Sequence, residues 1–183
     1  MPRASRSSRA QSSPLSPEVV AIRPIRPEEH AAAGELTVAA YLSPPAADDA
    51  PRDFGDYLDE LRDVSARATD ALVLVAGSDR ELLGCVTYVA TPQNLFAEFH
   101  DPDAAGIRML AVAPAARGRR VGVALVQECI ARARFDGKRR VILHTTRWMH
   151  AAHSLYSGLG FARAPELDID LPDVYLVAFV LQL

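Results

Sequence analysis

The sequence predicts an α/β domain built on a mixed sheet, and three observations carry that prediction. Short runs rich in Val, Ile and Leu alternate with segments whose apolar residues recur at helical spacing. Two such runs are joined by Gly77-Ser78-Asp79-Arg80-Glu81, a short glycine-containing link that marks a β-hairpin. Farther along, a strand, a tight turn and a long helix follow one another between Ile107 and Phe135, as in a unit that crosses over a sheet.

Composition bounds the rest. With 183 residues, 49% of them hydrophobic, the chain can bury one sizeable core and is short for two domains. Twenty basic and 23 acidic residues leave a formal net charge of -3, so neither a nucleic-acid nor an anionic-membrane partner is expected. There is no apolar run of about 18 residues and no continuous apolar stretch at the N-terminus, so a cytoplasmic protein is expected. Cys85 and Cys129 lie in apolar segments without metal-ligand spacing, which points to reduced core thiols and no metal site.

Residues 1–17 combine Ser, Pro and Arg with little apolar content and read as a disordered tail; residues 18–183 form the domain. A first strand covers 19–23. Pro27-Glu28-Glu29 opens a helix, with proline and acids at the end where each is favoured. Phe54, Leu58, Leu61, Val64 and Ala68 form the stripe of a second helix, interleaved with Asp56, Asp59, Glu60 and Asp63. The hairpin strands are 71–76 and 82–89, and residues 90–105 form a long loop. A strand at 107–112, a helix at 121–135, a strand at 140–144, a helix at 149–159 and a last strand at 174–181 complete the order β-α-α-β-β-β-α-β-α-β.

The most informative stretch runs from Leu110 through Pro114-Ala115-Ala116-Arg117-Gly118-Arg119-Arg120-Val121-Gly122-Val123. A helix opening here presents unpaired N–H groups and a partial positive charge. Gly118 and Gly122 leave that end open, and Arg117, Arg119 and Arg120 add charge suited to phosphates. The turn lacks both the Gly-Lys-Ser/Thr of triphosphate loops and the G-x-G-x-x-G of dinucleotide folds. A pyrophosphate of another kind remains.

Arg117-Gly118-Arg119-Arg120-Val121-Gly122 resembles the Arg/Gln-x-x-Gly-x-Gly/Ala motif of the GCN5-related N-acetyltransferase (GNAT) superfamily, except that Arg120 stands at the first motif glycine. Ala152-His153-Ser154-Leu155-Tyr156 with Gly160-Phe161 is similar to the family's second element, A-x-x-L-Y-x-x-x-G-F. Ala152, Leu155, Tyr156 and Leu159 share a helical face, and Gly160 suits a left-handed helix end.

The resemblance implies a six- or seven-stranded sheet flanked by about four helices, and acetyl-CoA as co-substrate. The backbone of residues 118–123 would hold its pyrophosphate, while Leu110, Ala111 and Val112 would pair with the pantetheine arm as an added strand. Acetyl transfer to a primary amine then needs a donor for the leaving thiolate, whose thiol has an ordinary pKa of about 8.5. Tyr156 is the candidate. It also needs a proton acceptor for the amine. No acid lies in 107–112 or 140–144, which leaves His144 as the candidate, with Glu98, Asp101 and Asp103 as rivals.

A backbone N–H at the splayed end of the Leu110 strand would stabilise the oxyanion. The acceptor is a small-molecule amine or a protein amine, and the oligomeric state, a homodimer included, is left open. The alternative function is a non-catalytic acyl-CoA-binding sensor or regulatory module, favoured by Arg120 and the missing strand acid.

Overall fold

The computed structural model describes residues 20–43, 54–78 and 80–183; the tail expected at 1–17 and the link between the first two helices lie outside them. The chain runs through β1 (Ala21–Pro24), α1 (His30–Leu42), α2 (Tyr57–Arg62), α3 (Val64–Asp70), β2 (Leu72–Gly77), β3 (Leu82–Val89), β4 (Ala104–Val112), α4 (Val121–Phe135), β5 (Arg140–Thr146), α5 (His150–Gly158), β6 (Ala162–Arg163), β7 (Ile169–Asp170) and β8 (Tyr175–Gln182). The eight strands form one sheet in the order β1-β2-β3-β4-β5-β8-β6, with β7 also paired to β8. Only β4 and β5 run parallel among these pairs.

Alternation along the strands sorts their side chains between two helical layers. Leu74 and Ala76 of β2 join Val121, Leu125, Cys129 and Ala133 of α4 in one cluster. Val73 and Val75, the intervening residues, join Ala33 of α1 and Val64 of α3 in another. Both faces of the sheet are covered, which explains why its strands read as nearly continuous apolar runs. Cys85 and Cys129 are buried free thiols, one in each layer.

Three details depart from the sequence reading. The single helix expected over 54–68 is two, broken at Asp63. There the backbone leaves helical angles (φ -78, ψ 73) and the carboxylate accepts the Ala66 amide at 2.9 Å, starting α3. Arg67 then turns back and donates to the carbonyls of Glu60 and Leu61, closing the end of α2. β4 begins at Ala104 instead of 107, because small residues there fit beneath Phe99: a Cβ on Gly106 would stand 2.6 Å from that ring. The short strands β6 and β7 carry too little pattern to be read in advance.

Before α1, a 3-10 turn at Pro27–Glu29 takes the acids where a helix start was expected, and Glu29 accepts the Arg26 amide at 2.9 Å. Within α1, Gly34 sits against the main chain of Arg62, so a Cβ would collide with that carbonyl. This contact sets the crossing of α1 over the α2–α3 corner. Gly→Ala inside a helix ordinarily stabilises by about 1 kcal/mol. Gly34→Ala is expected to do the reverse, lowering stability by about 1–3 kcal/mol through overpacking, as read from urea unfolding. A stabilised variant would show that the corner is free to move aside.

Candidate active site

The site begins where the sheet parts. β4 and β5 pair from Ala104↔Arg140 to Ile107↔Leu143 and no farther. Beyond that, β5 continues beside β8 through Thr146, and β4 continues beside β3 through Val112. The pairing of β3 with β4 slips here, so that Met109 and Leu110 both stand opposite Val86. Met109 takes a positive φ of 50°, which makes the slip a bulge. As a result two successive side chains, Arg108 and Met109, face the α1–α3 layer: Met109 packs with Val38 and Leu61, and Arg108 lies 4.0 Å from Glu60. Leu110 and Val112 face the α4 layer. The β5-facing edge of Arg108–Val112 has no strand partner.

A 3-10 turn at Pro114–Ala116 leads from β4 to α4. Gly118 has φ 76° with open space around it, and Arg120, the residue before the helix, is itself left-handed (φ 61, ψ 15). Holding a non-glycine residue there costs about 1–3 kcal/mol. The amides of Gly118, Arg120, Val121, Gly122 and Val123 meet no acceptor among the described residues. With the positive end of α4 behind them, they form a cradle for an anion. Arg119 and Arg120 are exposed, and their side chains form no hydrogen bond or ion pair among the described residues.

Arg117 is committed elsewhere. Its guanidinium donates to Ser43 O at 2.7 Å and Ala40 O at 3.1 Å, at the end of α1. Gly122 does not face the opening: a Cβ there would come within 3.0 Å of Leu155 and 3.4 Å of Val112, so its bareness lets α4, α5 and β4 close on one another.

Tyr156 projects from α5 into the α4 layer, 5% exposed, with its ring against Phe161 and Phe179. Gly160, with φ 89°, ends the helix behind it. The phenol has no hydrogen-bond partner among the described residues, and burial pushes its pKa well up, with Cys129 adding to the shift. From the opposite layer Tyr41 packs edge-on against Tyr57 with ring centroids 6.2 Å apart. Burial raises the pKa of Tyr41 first, Tyr57 adds to this, and Tyr156 lies near enough to contribute. The two phenols belong to different helical layers.

Below them runs a charged chain. Arg108 donates to Glu98 at 3.0 Å and to the Phe96 carbonyl at 3.1 Å; the other Glu98 oxygen lies 3.3 Å from His144 Nδ1. His144 Nε2 donates to the Leu167 carbonyl at 2.8 Å, since a carbonyl can only accept. Both ring nitrogens are therefore engaged, and the side chain is only 2% exposed. The other loop acids are placed elsewhere: Asp101 holds Arg140 at 2.8 Å and caps the Asp103 amide at 2.9 Å, at the closed end of the β4–β5 pair. In the second helix pair, Asp59 holds Arg62 and Asp63 caps α3, leaving Glu60 as the acid that reaches the cleft.

A surface cavity of about 580 Å³ between the start of α1 and the β2–β3 turn, lined by Glu28, Glu35, Arg80 and Glu81 among others, shares none of the cleft's side chains.

A parted sheet beside an open helix N-terminus defines a domain that can seat an extended ligand with an anionic group. The family model for the acetyltransferase (GNAT) family matches residues 36–161, and the chain belongs to that family. No curated protein matches the chain in sequence. Among solved structures, it is similar to the PaiA N-acetyltransferase of Thermoplasma acidophilum in complex with coenzyme A (16% identity, TM-score 0.66, covering 87% of this chain and 97% of that one). It is similar also to YncA of Salmonella typhimurium with its cofactor acetyl-CoA (24%, 0.60, 89% and 93%). The ribosomal-protein-alanine N-acetyltransferase of Brucella melitensis is a third (20%, 0.63, 89% and 99%). At these identities the likeness is one of fold. No helix among the described residues is long and apolar enough to cross a membrane.

Sequence reasoning missed Arg108, Tyr41 and Tyr57. Arg108 had a signal, being a lone charge in an apolar strand, which demands a buried partner. The tyrosines had none, since only the fold brings the two ends of the 43–56 link together.

The carbonyl that holds His144 belongs to a turn fixed by Asp168, whose carboxylate accepts from Arg163 at 2.6 Å, Tyr175 at 2.9 Å and the Ala178 amide at 2.8 Å. Arg163 foremost, then the Ala178 amide and Tyr175, hold its pKa down at about 2 against the opposing effect of burial. A depressed carboxyl stabilises the fold fully above its unfolded value and loses that contribution as pH falls through its folded value. Asp168→Asn is therefore expected to cost about 1–3 kcal/mol at neutral pH, with the gap to wild type closing between about pH 4 and pH 2. Urea unfolding across that range checks it; a gap undiminished at pH 2 would refute the ion-paired reading.

Proposed function

We propose that this chain is an N-acetyltransferase that moves an acetyl group from acetyl-CoA to a primary amine by direct attack within a ternary complex. The observation that carries the reading is the set of partnerless amides at Gly118 and Arg120–Val123 next to the partnerless edge of Arg108–Val112. The amides, aided by Arg119 and Arg120, hold the pyrophosphate. Arg117 adds no donor of its own, since its amide bonds the Pro114 carbonyl and its guanidinium the end of α1. Leu110, Ala111 and Val112 pair with the pantetheine arm, which delivers the thioester to the parting of the strands.

There the amine nitrogen bonds to the acetyl carbon, the carbonyl oxygen takes up negative charge beside a free β4 amide, and the C–S bond then breaks. Tyr156, kept protonated by burial, donates to the departing sulfur. The Glu98–His144 pair takes the amine's proton, directly or through a water; Glu98 is the more exposed member at 18%, and Arg108 holds it in place.

The acceptor side, walled by Tyr41, Tyr57, Glu60 and Arg108, leaves both small-molecule and protein amines to be tried. A sensor that binds acyl-CoA without turnover is the second reading. It is favoured by the engagement of both His144 nitrogens.

Acetyl-CoA at 100 times its Kd is expected to stabilise the protein by about 2.7 kcal/mol, seen as a raised Tm; no shift at millimolar acetyl-CoA removes the coenzyme assignment. Free-thiol release across an amine panel separates enzyme from sensor. With a responsive amine, Tyr156→Phe is expected to lower kcat by about 10²–10⁴-fold while leaving the Kd for acetyl-CoA nearly unchanged. Undiminished turnover would release Tyr156 from its role.

A further inference from the structure

The motif arginine that the sequence assigns to phosphate is bonded instead to a helix on the acceptor side. Arg117 begins the pyrophosphate turn, yet its side chain bridges two carbonyls, Ser43 O at 2.7 Å and Ala40 O at 3.1 Å. Both belong to the last turn of α1, where the final carbonyls of a helix lack intrahelical donors and carry partial negative charge. A planar, forked guanidinium fits two diverging carbonyls, whereas an ammonium group can hold both only at the cost of freezing a flexible stem.

What this helix end carries is decisive. Tyr41 lies between the two accepting residues in sequence. It packs against Tyr57, and its ionisation is influenced by Tyr156 and by Arg108. Arg108 in turn grips Glu98, and Glu98 faces His144. Moving the last turn of α1 would therefore move Tyr41 and its packing against Tyr57 on the acceptor side. The described residues offer no other side chain that donates to Ala40 O or Ser43 O.

We infer that Arg117 is a positioning residue for the acceptor wall: it fastens the end of α1, and with it Tyr41, to the turn that grips the coenzyme, and its guanidinium is not a phosphate ligand. The inference rests on the N-acetyltransferase reading for what the wall receives, but the fastening itself stands on the two hydrogen bonds. The cofactor turn and the acceptor wall are thereby one mechanical unit. Arg119 and Arg120, exposed and without partners, supply the charge that Arg117 does not.

The test compares the full chain with Arg117→Ala, Arg117→Lys and Arg119→Ala by three readouts: calorimetric Kd for acetyl-CoA, hydrogen–deuterium exchange of the amides of residues 39–43, and KM for the panel amine giving most thiol release. Arg117→Ala is expected to speed exchange at the end of α1 about tenfold or more and to raise the amine KM severalfold. Its Kd for acetyl-CoA should stay within twofold of wild type. Arg117→Lys should recover little of the exchange protection, and Arg119→Ala should weaken acetyl-CoA while leaving α1 exchange alone.

The inference is overturned if Arg117→Ala weakens acetyl-CoA tenfold, Arg117→Lys restores it, and exchange at 39–43 is unaltered; that result would make Arg117 a phosphate ligand. If wild type binds no acetyl-CoA, the functional reading fails by itself, and the exchange comparison still decides whether the fastening exists.

Discussion

Two parallel strands that stop pairing after four residues govern the rest of this molecule. β4 and β5 hold each other only from Ala104↔Arg140 to Ile107↔Leu143, and each then follows a different antiparallel neighbour. A bulge enforces the divergence: the left-handed residue Met109 adds length to β4 without adding a pair to β3. The edge of Arg108–Val112 that results meets no strand among the described residues. Tyr41 and Tyr156 lie in the two layers on opposite sides of the sheet. The same bulge turns Met109 toward Val38 and Leu61 instead of toward the α4 core, on the face from which Arg108 reaches Glu60 and Glu98.

The second constraint is a division of labour among backbone donors. Nearly every buried amide in a folded protein is used. At the start of α4 a run of them is not, and the cost is compounded by the strained Arg120. A turn with open donors and a left-handed arginine at the start of a helix is suited to an anion. The side chains around it divide similarly: Arg119 and Arg120 stay exposed and free, while Arg117 and Gly122 are spent on holding the turn against its surroundings.

How much of this the sequence discloses depends on how local each feature is. The bounds of α4 at Val121–Phe135 and the hairpin over β2 and β3 follow from periodicity and turn residues, which act over a few positions. So does the helix stop at Gly160. The break at Asp63 was concealed because its apolar stripe continues unbroken on both sides; only the cap on Ala66 and the return of Arg67 show that the chain bends. Among the candidate residues, the sequence could name His144 and Glu98 separately but could not join them. Their meeting depends on a loop lying back over the end of β5, a matter of tertiary packing alone. The direction of the Arg117 side chain was equally hidden, since a basic residue beside a phosphate turn reads the same whether it points to a ligand or to a helix end 74 residues away.

Gly122 carries a consequence of its own. By lying 3.0 Å, at its absent Cβ, from Leu155, it welds the opening of α4 to the segment bearing Tyr156. The open amides of Gly118 and Arg120–Val123 and the side chain of Tyr156 therefore lie in one block, in the second half of the chain. Of the side chains around the cleft, Tyr41, Tyr57 and Glu60 come from the first half, while Glu98 and Arg108 come from the second. Substitutions at Tyr41, Tyr57 or Glu60 can therefore reshape that side of the cleft without touching the block, whereas a graft that splits the block between Gly122 and Leu155 would break the packing that joins the opening of α4 to α5.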